Sequence, residues 1–401
     1  MLEFETPPLR VRPRGRAHAR VARLRRIAVL TAGLALAFGL ISYALSMAQT
    51  SSLPLGIRTV EWLRDNGLRG LVNEIETIYY SWNAPSKGGP ARKTLPHQAG
   101  QVVAENGQAG QSTTPAQTGA PVVKQVPAYH PPAIAPLIHP ALAGEGVWRS
   151  TFSGDGITRP PVLITSFRSD PSYPQLVAGV AWIDHTLTST WLYPGRVEPA
   201  VALPSRGPME VPTGQRPRLV ATFNSAFQLA DSGGGVVLQH HTWAPMKDGE
   251  ATILRYDSGR VDVVDWTGPS VAPSNVVYAR QNLPLIVDNG QPNPNLSSGP
   301  EWGATLGNAI QVWRSAVGVD SHGNLIYAAA NYQTVASLAA IMIHAGAVRA
   351  MELDINAEWP SFITYRGPNA QGAANILPGM MQGPQRYLTP DDRDFFAVYV
   401  K

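Results

Sequence analysis

Residues 27–47 form an uncharged apolar run, IAVLTAGLALAFGLISYALSM, near the N-terminus of this 401-residue chain. An α-helix rises about 1.5 Å per residue, so about 20 such residues cross the roughly 30 Å hydrocarbon layer of a membrane. The alternative is a cleaved signal peptide, because Ser46-Met47-Ala48 loosely resembles a small-x-small cleavage site. The run is longer than the usual apolar part of a signal peptide, about 7 to 15 residues. The sequence therefore predicts a transmembrane helix over residues 27–47.

The tail before this run, residues 1–26, is rich in arginine. It holds eight Arg against Glu3 and Glu5, which gives it a net charge of +6. Positively charged residues that flank a membrane helix stay on the cytoplasmic side. We therefore expect a single-pass protein of the cell membrane, with its N-terminus in the cytoplasm and its C-terminal domain outside the cytoplasm.

The rest of the chain lacks the signatures of several function classes. Subtracting the +6 of the tail from the whole-chain charge of +4 leaves −2, and no long basic stretch supports nucleic-acid binding. The chain has no cysteine, which excludes disulfides, thiol catalysis and thiolate metal sites. It also lacks the H-E-x-x-H, G-x-S-x-G, P-loop and S-x-x-K motifs of zincins, α/β-hydrolases, NTPases and penicillin-binding proteins.

Three regions of different composition follow the apolar run. Residues 56–82 place apolar side chains near one face at helical spacing and predict a juxtamembrane helix, which Gly67 and Gly70 break into two pieces. Such a helix lies on the bilayer or on the domain, and a helix that binds a partner is the less favoured alternative. Residues 83–140 are rich in Pro, Gly and Gln without periodicity, which predicts a disordered linker that contacts nothing. Residues 146–401 have the pattern of a folded domain.

Short apolar runs separated by Gly, Pro, Asn and Asp recur through this domain at strand spacing. One segment, residues 334–345, is clearly helical, with apolar residues at i, i+3, i+4 and i+7, a capping Thr334 and a terminating Gly346. Many strands with few helices predict the α+β class, with a strand-rich mixed sheet. The predicted strands are 161–165, 176–183, 218–223, 235–238, 252–256, 261–264, 285–287, 315–319 and 348–353.

The run Ala350-Met-Glu-Leu-Asp354 carries two carboxylates at alternate positions. Side chains alternate along a strand, so Glu352 and Asp354 would share one face while Met351 and Leu353 point into the core. Carboxylates about 6.5 Å apart at Cα suit acid–base chemistry on a glycosidic bond or chelation of a metal ion. Taken alone, this run favours a strand that ends in a solvated acidic turn, because functional carboxylates with a shifted pKa are rarer than exposed ones. The next residues add polar groups and a ring able to stack on a sugar, namely Asn356, Glu358 and Trp359.

Two polar residues lie at the ends of other predicted strands. Asn224 follows an apolar strand beside a tight turn, where Asn is also common for structural reasons. Arg314 lies near the start of a strand, and an Arg on a half-buried strand usually has an anionic partner, either a carboxylate or a bound phosphate. Because ligand sites gather at strand ends, we expect Asn224, Arg314 and Asp354 to converge at one cleft.

In their order and spacing these motifs resemble the phosphodiester glycosidase family, the domain of the N-acetylglucosamine-1-phosphodiester uncovering enzyme. The family's N-G-G-F-like segment corresponds to Asn224-Ser-Ala-Phe227, and its R-[ST]-A-x-G strand to Arg314-Ser-Ala-Val-Gly318. Its L-D-G-G-G-S segment differs here, because Ile355-Asn-Ala-Glu358 follows Asp354 where consecutive glycines would let N–H groups approach a phosphate. The resemblance covers roughly residues 215–401. The tail, membrane helix and tether also resemble a membrane-anchored actinobacterial branch.

The resemblance implies hydrolysis of a sugar-1-phosphodiester of envelope glycan or polymer at the anomeric carbon. For that chemistry, Arg314 is expected to clamp the phosphate and Asp354 to be the base or the nucleophile. Asn224 is expected to hold phosphate or sugar hydroxyls, and Glu352 and Glu358 are further acid–base candidates. No cofactor is implied, and a requirement for a divalent cation stays open. The substrate-binding candidates are Asn356 and Trp359.

A non-catalytic module that binds envelope glycan or serves in assembly is the alternative function. The altered glycine segments and the long tether both fit it. An open cleft that holds Asn224, Arg314 and Asp354 together favours an enzyme, whereas a plugged or dispersed site favours a binding module. The expected partner is a sugar phosphate or an envelope polysaccharide, and no nucleic acid.

In intact spheroplasts, external protease is expected to remove the domain and spare residues 1–26, because the arginine cluster precedes the apolar run. Immunoblotting against a tag at each terminus measures this. Survival of the C-terminal tag in intact spheroplasts, together with its digestion after lysis, would overturn the predicted orientation.

Overall fold

The computed structural model describes seven stretches of the chain: residues 15–51, 53–82, 84–96, 129–152, 159–297, 299–303 and 310–401. The chain divides into two compact units. The first contains Met1–Gln49 and Leu55–Gly67, and the second contains Thr50–Pro54 and Leu68–Lys401. The central part of the predicted linker, residues 97–128, lies outside the described residues.

The first unit is built from two helices, α1 (Gly15–Ala48) and α2 (Leu55–Asp65). Within α1, Arg23–Ala48 is long and apolar enough to cross a membrane. The second helix contacts the last turns of the first, since Trp62 Nε1 donates a hydrogen bond to Ser42 Oγ at 3.1 Å. The helix expected from the apolar run is therefore present, whereas its orientation in a membrane stays a prediction.

The predicted juxtamembrane helix is broken once, at Gly67. This residue has a φ of 83°, in the left-handed region that favours glycine. The piece before the break is α2, and the piece after it is α3 (Arg69–Trp82). Gly70, the second expected break point, lies inside α3.

Residues 129–148 lie along the sheet of the second unit. Ile134 is buried, and its N–H donates to the Gly146 carbonyl at 2.9 Å. Glu145 forms a buried ion pair with Arg168 at 2.8 Å. The Arg168 guanidinium also donates to two carbonyl groups of the segment. This network holds the segment against the strand that carries Arg168, since charge-assisted hydrogen bonds of this kind are the strong ones.

The expectation that residues 83–140 contact nothing is wrong at both described ends of this stretch. Near its start, Arg92 Nε donates to the Gln175 carbonyl at 2.6 Å. Near its end, Tyr129 stacks on His322 with ring centroids 3.7 Å apart. Composition missed these contacts because a proline-rich chain docks through single side chains and carbonyls, without the periodicity of a helix or strand.

The second unit is dominated by antiparallel strands in three sheets. The strands of the largest sheet are β1 (Arg149–Ser150), β2 (Val162–Arg168), β3 (Val177–Ile183), β11 (Val287–Asp288), β12 (Gln291–Pro292), β13 (Val312–Val319), β14 (Leu325–Gln333) and β15 (Arg349–Glu352). Their order across the sheet is β1-β2-β3-β14-β13-β15-β11-β12. The long central strands β13 and β14 form a hairpin, so the start of β13 and the end of β14 meet at one edge.

Two five-stranded sheets complete the unit. One has the order β7-β6-β10-β8-β9, with β6 (Val236–Leu238), β7 (His241–Ala244), β8 (Ala251–Tyr256), β9 (Val261–Asp265) and β10 (Val276–Gln281). The other has the order β17-β16-β5-β18-β4, with β4 (Thr188–Tyr193), β5 (Leu219–Asn224), β16 (Phe362–Thr364), β17 (Ala374–Asn375) and β18 (Phe395–Val400). Besides α3, the described α-helices of the second unit are α4 (Leu229–Ser232) and α5 (Val335–His344).

The eight-stranded sheet has a different core on each face. The side chains that pack under α5 are small, for example Ala316 and Ala350. Those on the opposite face, such as Val317, Tyr327 and Met351, join a core shared with the other two sheets. The central strands are therefore buried on both faces, which fits the apolar stretches Ala-Val-Gly-Val at the end of β13 and Leu-Ile-Tyr-Ala-Ala-Ala at the start of β14.

The α+β prediction is confirmed, since the described residues form strand-rich sheets with few helices. The predicted helix is α5, and Thr334 caps it in a capping box with Ser337. Several strands were missed, among them the long strands β4, β10, β14 and β18. The sequence of β10, VVYARQ, carries a buried Arg, and that of β18, FFAVYV, has no polar alternation. Neither sequence pattern distinguishes a buried strand from another kind of apolar segment.

Gly146→Ala is expected to destabilise the second unit by roughly 3 kcal/mol or more. Gly146 has a φ of 73°, and a Cβ there would lie 1.8 Å from the Ile134 carbonyl oxygen. Gly144→Ala is the matched control, with a φ of 75° and no atom within 4 Å of its Cβ, and should cost only about 1 kcal/mol. Urea denaturation measures both, and equal losses would contradict the packing of residues 129–148.

Candidate functional site

Asp354 lies just beyond the end of β15. Its N–H donates to the Ser225 carbonyl at 3.2 Å, and its carbonyl accepts from Ser315 Oγ at 2.8 Å. Its carboxylate accepts from the Asn356 N–H at 3.0 Å and forms an ion pair with Arg393. The carboxylate is therefore held on a rigid strand end, and 6% of the residue is exposed.

Arg314 lies on β13 and is fully buried. Its Nε donates to the Gln333 carbonyl at 2.9 Å, and its Nη1 forms an ion pair with Glu352. The remaining N–H groups donate to three carbonyls that precede β13 in the chain, those of Trp302, Gly303 and Ile310. All five donors thus have acceptors within the protein. This leaves no donor for a phosphate, contrary to the expected role as a clamp.

Glu352 and Asp354 do not act as a pair on one face. The strand ends at Glu352, so the alternation does not continue to Asp354, and the two carboxylates have different arginine partners. Burial raises the pKa of Glu352 from 4.5 to about 7, although Arg314 opposes this shift. Its Oε2 has no hydrogen-bond partner among the described residues.

Asn224, at the end of β5, is buried with both polar atoms of its side chain satisfied. Nδ2 donates to Ser315 Oγ and to the Ser225 carbonyl, each at 3.0 Å. Oδ1 accepts from the Tyr327 hydroxyl at 2.9 Å and from the Ser361 N–H at 3.0 Å. The amide therefore ties β5 to β13, to β14 and to the segment before β16.

The structure brings Asn224 and Asp354 together but separates them from the guanidinium of Arg314. Ser315 Oγ links the first two, because it accepts from Asn224 and donates to the Asp354 carbonyl. Arg314 precedes Ser315 on the same strand, so its side chain points to the opposite face, where α5 packs. The expected convergence of all three residues is therefore wrong, because one strand cannot direct adjacent side chains to the same face.

The turn after Asp354 is closed rather than open. Asn356 Oδ1 accepts from the Glu358 N–H at 3.2 Å, so two successive Asx turns shape the loop. Ile355, which stands where the family has glycine, packs against Phe227 in a small apolar cluster. A side chain thus fills the space that a glycine segment would leave for a ligand.

Trp359 contacts two arginines that the sequence analysis missed. The guanidinium carbons of Arg393 and Arg386 lie 4.9 and 5.1 Å from its ring centroid. Arg386 also pairs with Asp391 at 2.8 Å and donates to the Trp359 carbonyl at 2.9 Å. The ring is buried and in contact with cations, so it is not presented to solvent as a sugar platform.

A second group of buried charges lies close to Arg393. Arg280 pairs with Asp394 at 3.0 Å. Glu198 accepts from the Leu229 N–H at 3.1 Å, and its own N–H donates to the carbonyl of the residue before Arg393. Burial, and then the charge of Asp394, raise the pKa of Glu198. Such a carboxyl retains its proton at a higher pH than an exposed one, as a general acid requires.

One pattern in the sequence could have indicated Arg393 and its charged neighbours. The run Pro390-Asp-Asp-Arg-Asp394 directly precedes the apolar strand β18, and charges at the start of a buried strand must be paired. Glu198 and Arg280 carry no comparable signal, since their partners are distant in sequence. Within the described ranges, no group of three or more His, Asp or Glu side chains is placed to hold a metal ion.

Residues 218–354 match the family model for phosphodiester glycosidase. This match confirms the resemblance over that range, and its last residue is Asp354. The chain matches no curated protein sequence. Among solved structures, it is 14% identical to the catalytic domain of zebrafish N-acetylglucosamine-1-phosphodiester alpha-N-acetylglucosaminidase, auto-inhibited by its pro-peptide. That match covers 63% of this chain and 87% of the other, with a TM-score of 0.40. A hypothetical protein from Synechocystis is 14% identical, with 60% and 62% covered and a TM-score of 0.36.

Glu352→Gln is expected to flatten the pH dependence of stability. The pKa of Glu352 is raised on folding to about 7 from 4.5, so the folded protein keeps a proton that the unfolded chain loses. The free energy of unfolding therefore falls as pH rises between these values, by about 3 kcal/mol from this group. Urea denaturation at pH 5, 6 and 7 measures the difference between wild type and variant. Parallel pH curves would contradict the shifted pKa.

Proposed function

We propose that this protein is a membrane-anchored hydrolase that cleaves a sugar-1-phosphodiester outside the cytoplasm. The observation that carries the proposal is the position of Asp354. The phosphodiester glycosidase match ends on this residue, and its carboxylate is held at a strand end beside Arg393. A carboxylate fixed in this way on a rigid element meets the positional demand of catalysis.

In the proposed reaction, water attacks the anomeric carbon and the bond from that carbon to the phosphate oxygen breaks. The departing phosphate monoester takes the bonding electron pair, and Asp354 takes the proton of the attacking water. The substrate phosphate competes with Asp354 for Arg393, because an Arg binds either anion through the same N–H groups. This exchange frees the carboxylate to act as the base. Direct attack by Asp354, followed by hydrolysis of the glycosyl intermediate, is the retaining variant of the same scheme.

The other predicted residues receive revised roles in this proposal. Arg314 and Asn224 are positioning residues, because the hydrogen-bonding groups of both side chains are engaged within the protein. Glu358 stays a candidate acid close to Asp354 in sequence, and Glu198 joins it because of its raised pKa. Asn356 shapes the turn that carries Asp354.

The location of the reaction follows from α1 and the charges before it. A helix able to cross a membrane, with eight arginines before its apolar run 27–47, supports a single-pass anchor with the domain outside the cytoplasm. The substrate is then a glycan or polymer of the cell envelope. The resemblance of the arginine-rich tail, membrane helix and tether to an actinobacterial branch of the family remains part of this proposal.

A non-catalytic glycan-binding module is the second candidate function. It is favoured by the satisfied donors of Arg314 and by Ile355, which fills the space of the family's glycine segment. In this case the domain retains the fold of a hydrolase and binds its glycan without turnover. The two functions differ in whether Asp354 is needed for bond cleavage.

Asp354→Asn is expected to lower turnover of a competent sugar-1-phosphodiester by about 10² or more, because the amide cannot take a proton from water. Phosphate-monoester release from a panel of such substrates, starting with N-acetylglucosamine 1-phosphodiesters, measures the rate. Asp257→Asn, at the exposed turn between β8 and β9, is the matched control and should keep full activity.

Circular dichroism on each variant shows whether the fold persists. A folded Asp354→Asn variant with undiminished turnover would remove Asp354 from the mechanism. Binding of a substrate without turnover by the wild type, at the same affinity as by Asp354→Asn, would favour the binding module instead.

A further inference from the structure

Helix α3 carries an apolar stripe that its own domain leaves uncovered. The exposed fractions are 53% for Leu71, 57% for Ile75, 48% for Ile78 and 84% for Trp82. At 100° per residue these four side chains project within an arc of about 60°. Val72, on the flank of the stripe, is buried, so one side of the helix is covered and the stripe is not. Single exposed apolar residues are common, but a continuous row of four indicates an interaction surface.

The segment that follows α3 is basic. Residues 84–96 contain Lys87, Arg92 and Lys93, all exposed, and no Asp or Glu. An amphipathic helix with an adjoining group of cations is typical of binding to an anionic lipid surface. Tryptophan is enriched at the membrane interface, where its ring is apolar and its N–H is hydrated. The apolar stripe and the adjoining cations therefore both fit an anionic lipid surface.

The predicted membrane anchor keeps α3 close to a lipid surface. The span that can cross a membrane ends at Ala48, and Leu71 follows 23 residues later. A short tether keeps the effective concentration of the membrane surface high, so even a weak interfacial helix stays bound.

We propose that α3 lies in the interface of an anionic membrane, with Leu71, Ile75, Ile78 and Trp82 among the lipid chains and Lys87 and Lys93 at the headgroups. The proposal rests on the proposed anchoring by α1. Because α3 belongs to the same compact unit as the sheets, this contact holds the candidate site close to the membrane. The substrate is then a sugar phosphodiester that lies within reach of the lipid surface, in preference to one deep in the envelope.

The absence of cysteine makes the test direct, because a single introduced Cys is labelled without background. Full-length protein is reconstituted in vesicles of neutral lipid with or without anionic phosphatidylglycerol, and an environment-sensitive fluorophore is attached to Ile75→Cys. Gly70→Cys is the matched control, since this exposed position on α3 has no neighbour within 4 Å of its Cβ and points about 140° away from Ile75. Leu36→Cys reports on α1 in the same preparations.

In anionic vesicles, lipids with a spin label near the headgroup are expected to quench the fluorophore at residue 75 at least twofold more than at residue 70. Lys87→Gln combined with Lys93→Gln should remove the extra quenching that anionic lipid produces. A label at residue 75 that is shielded from water but not quenched by lipid would overturn the proposal in favour of a protein partner. Equal quenching at residues 70 and 75 would overturn it as well.

The Leu36 label separates the two proposals. Lipids with a spin label near the end of the acyl chain test residue 36. Quenching there without headgroup-label quenching at residue 75 overturns the interfacial role of α3 and leaves the anchor intact. No quenching of residue 36 by the chain-labelled lipids overturns the anchor itself, whatever the label at residue 75 shows.

Discussion

The side-chain amide of Asn224 holds together the strand ends on which the candidate site is built. One side chain accepts from Tyr327 and Ser361 and donates to Ser315, and Ser315 in turn donates to the Asp354 carbonyl. In a buried setting each of these bonds is costly to lose, because the partner left behind is desolvated and unpaired. The position of Asp354 thus depends on an amide that belongs to a different sheet.

Buried charge is the second constraint on this region. The described residues contain buried arginine–carboxylate pairs at Arg168, Arg280, Arg314, Arg386 and Arg393. Removing one partner from such a pair is strongly destabilising, because the other charge remains in a medium of low dielectric constant. A site formed from such pairs is closed, and under the proposed function a substrate phosphate competes with a carboxylate for its arginine. This competition would link binding of an anionic ligand to release of the Asp354 carboxylate.

The sequence allowed the class of fold and the best local elements to be predicted, and the site only in part. The helix α5 and the strand β15 that follows it were predicted from apolar spacing and from Thr334 as the helix cap, which are local properties. The strand β18 was missed because a continuous apolar run has no period. Arg393 and Glu198 were missed because their partners, Asp354 and Leu229, are distant in sequence. The docking of residues 129–148 was missed because a proline-rich segment has no pattern.

The sequence by itself determined the apolar helix near the N-terminus, the strand-rich domain and the placement of Asp354 just beyond a strand, because each depends on neighbours within a few residues. Only the tertiary structure decided which charges meet. Arg314 and Ser315 are adjacent in the chain, yet the pleat sends one under α5 to Glu352 and the other into the shared core beside Asn224. Which strand lies opposite is a property of the sheet order, and no local pattern encodes it.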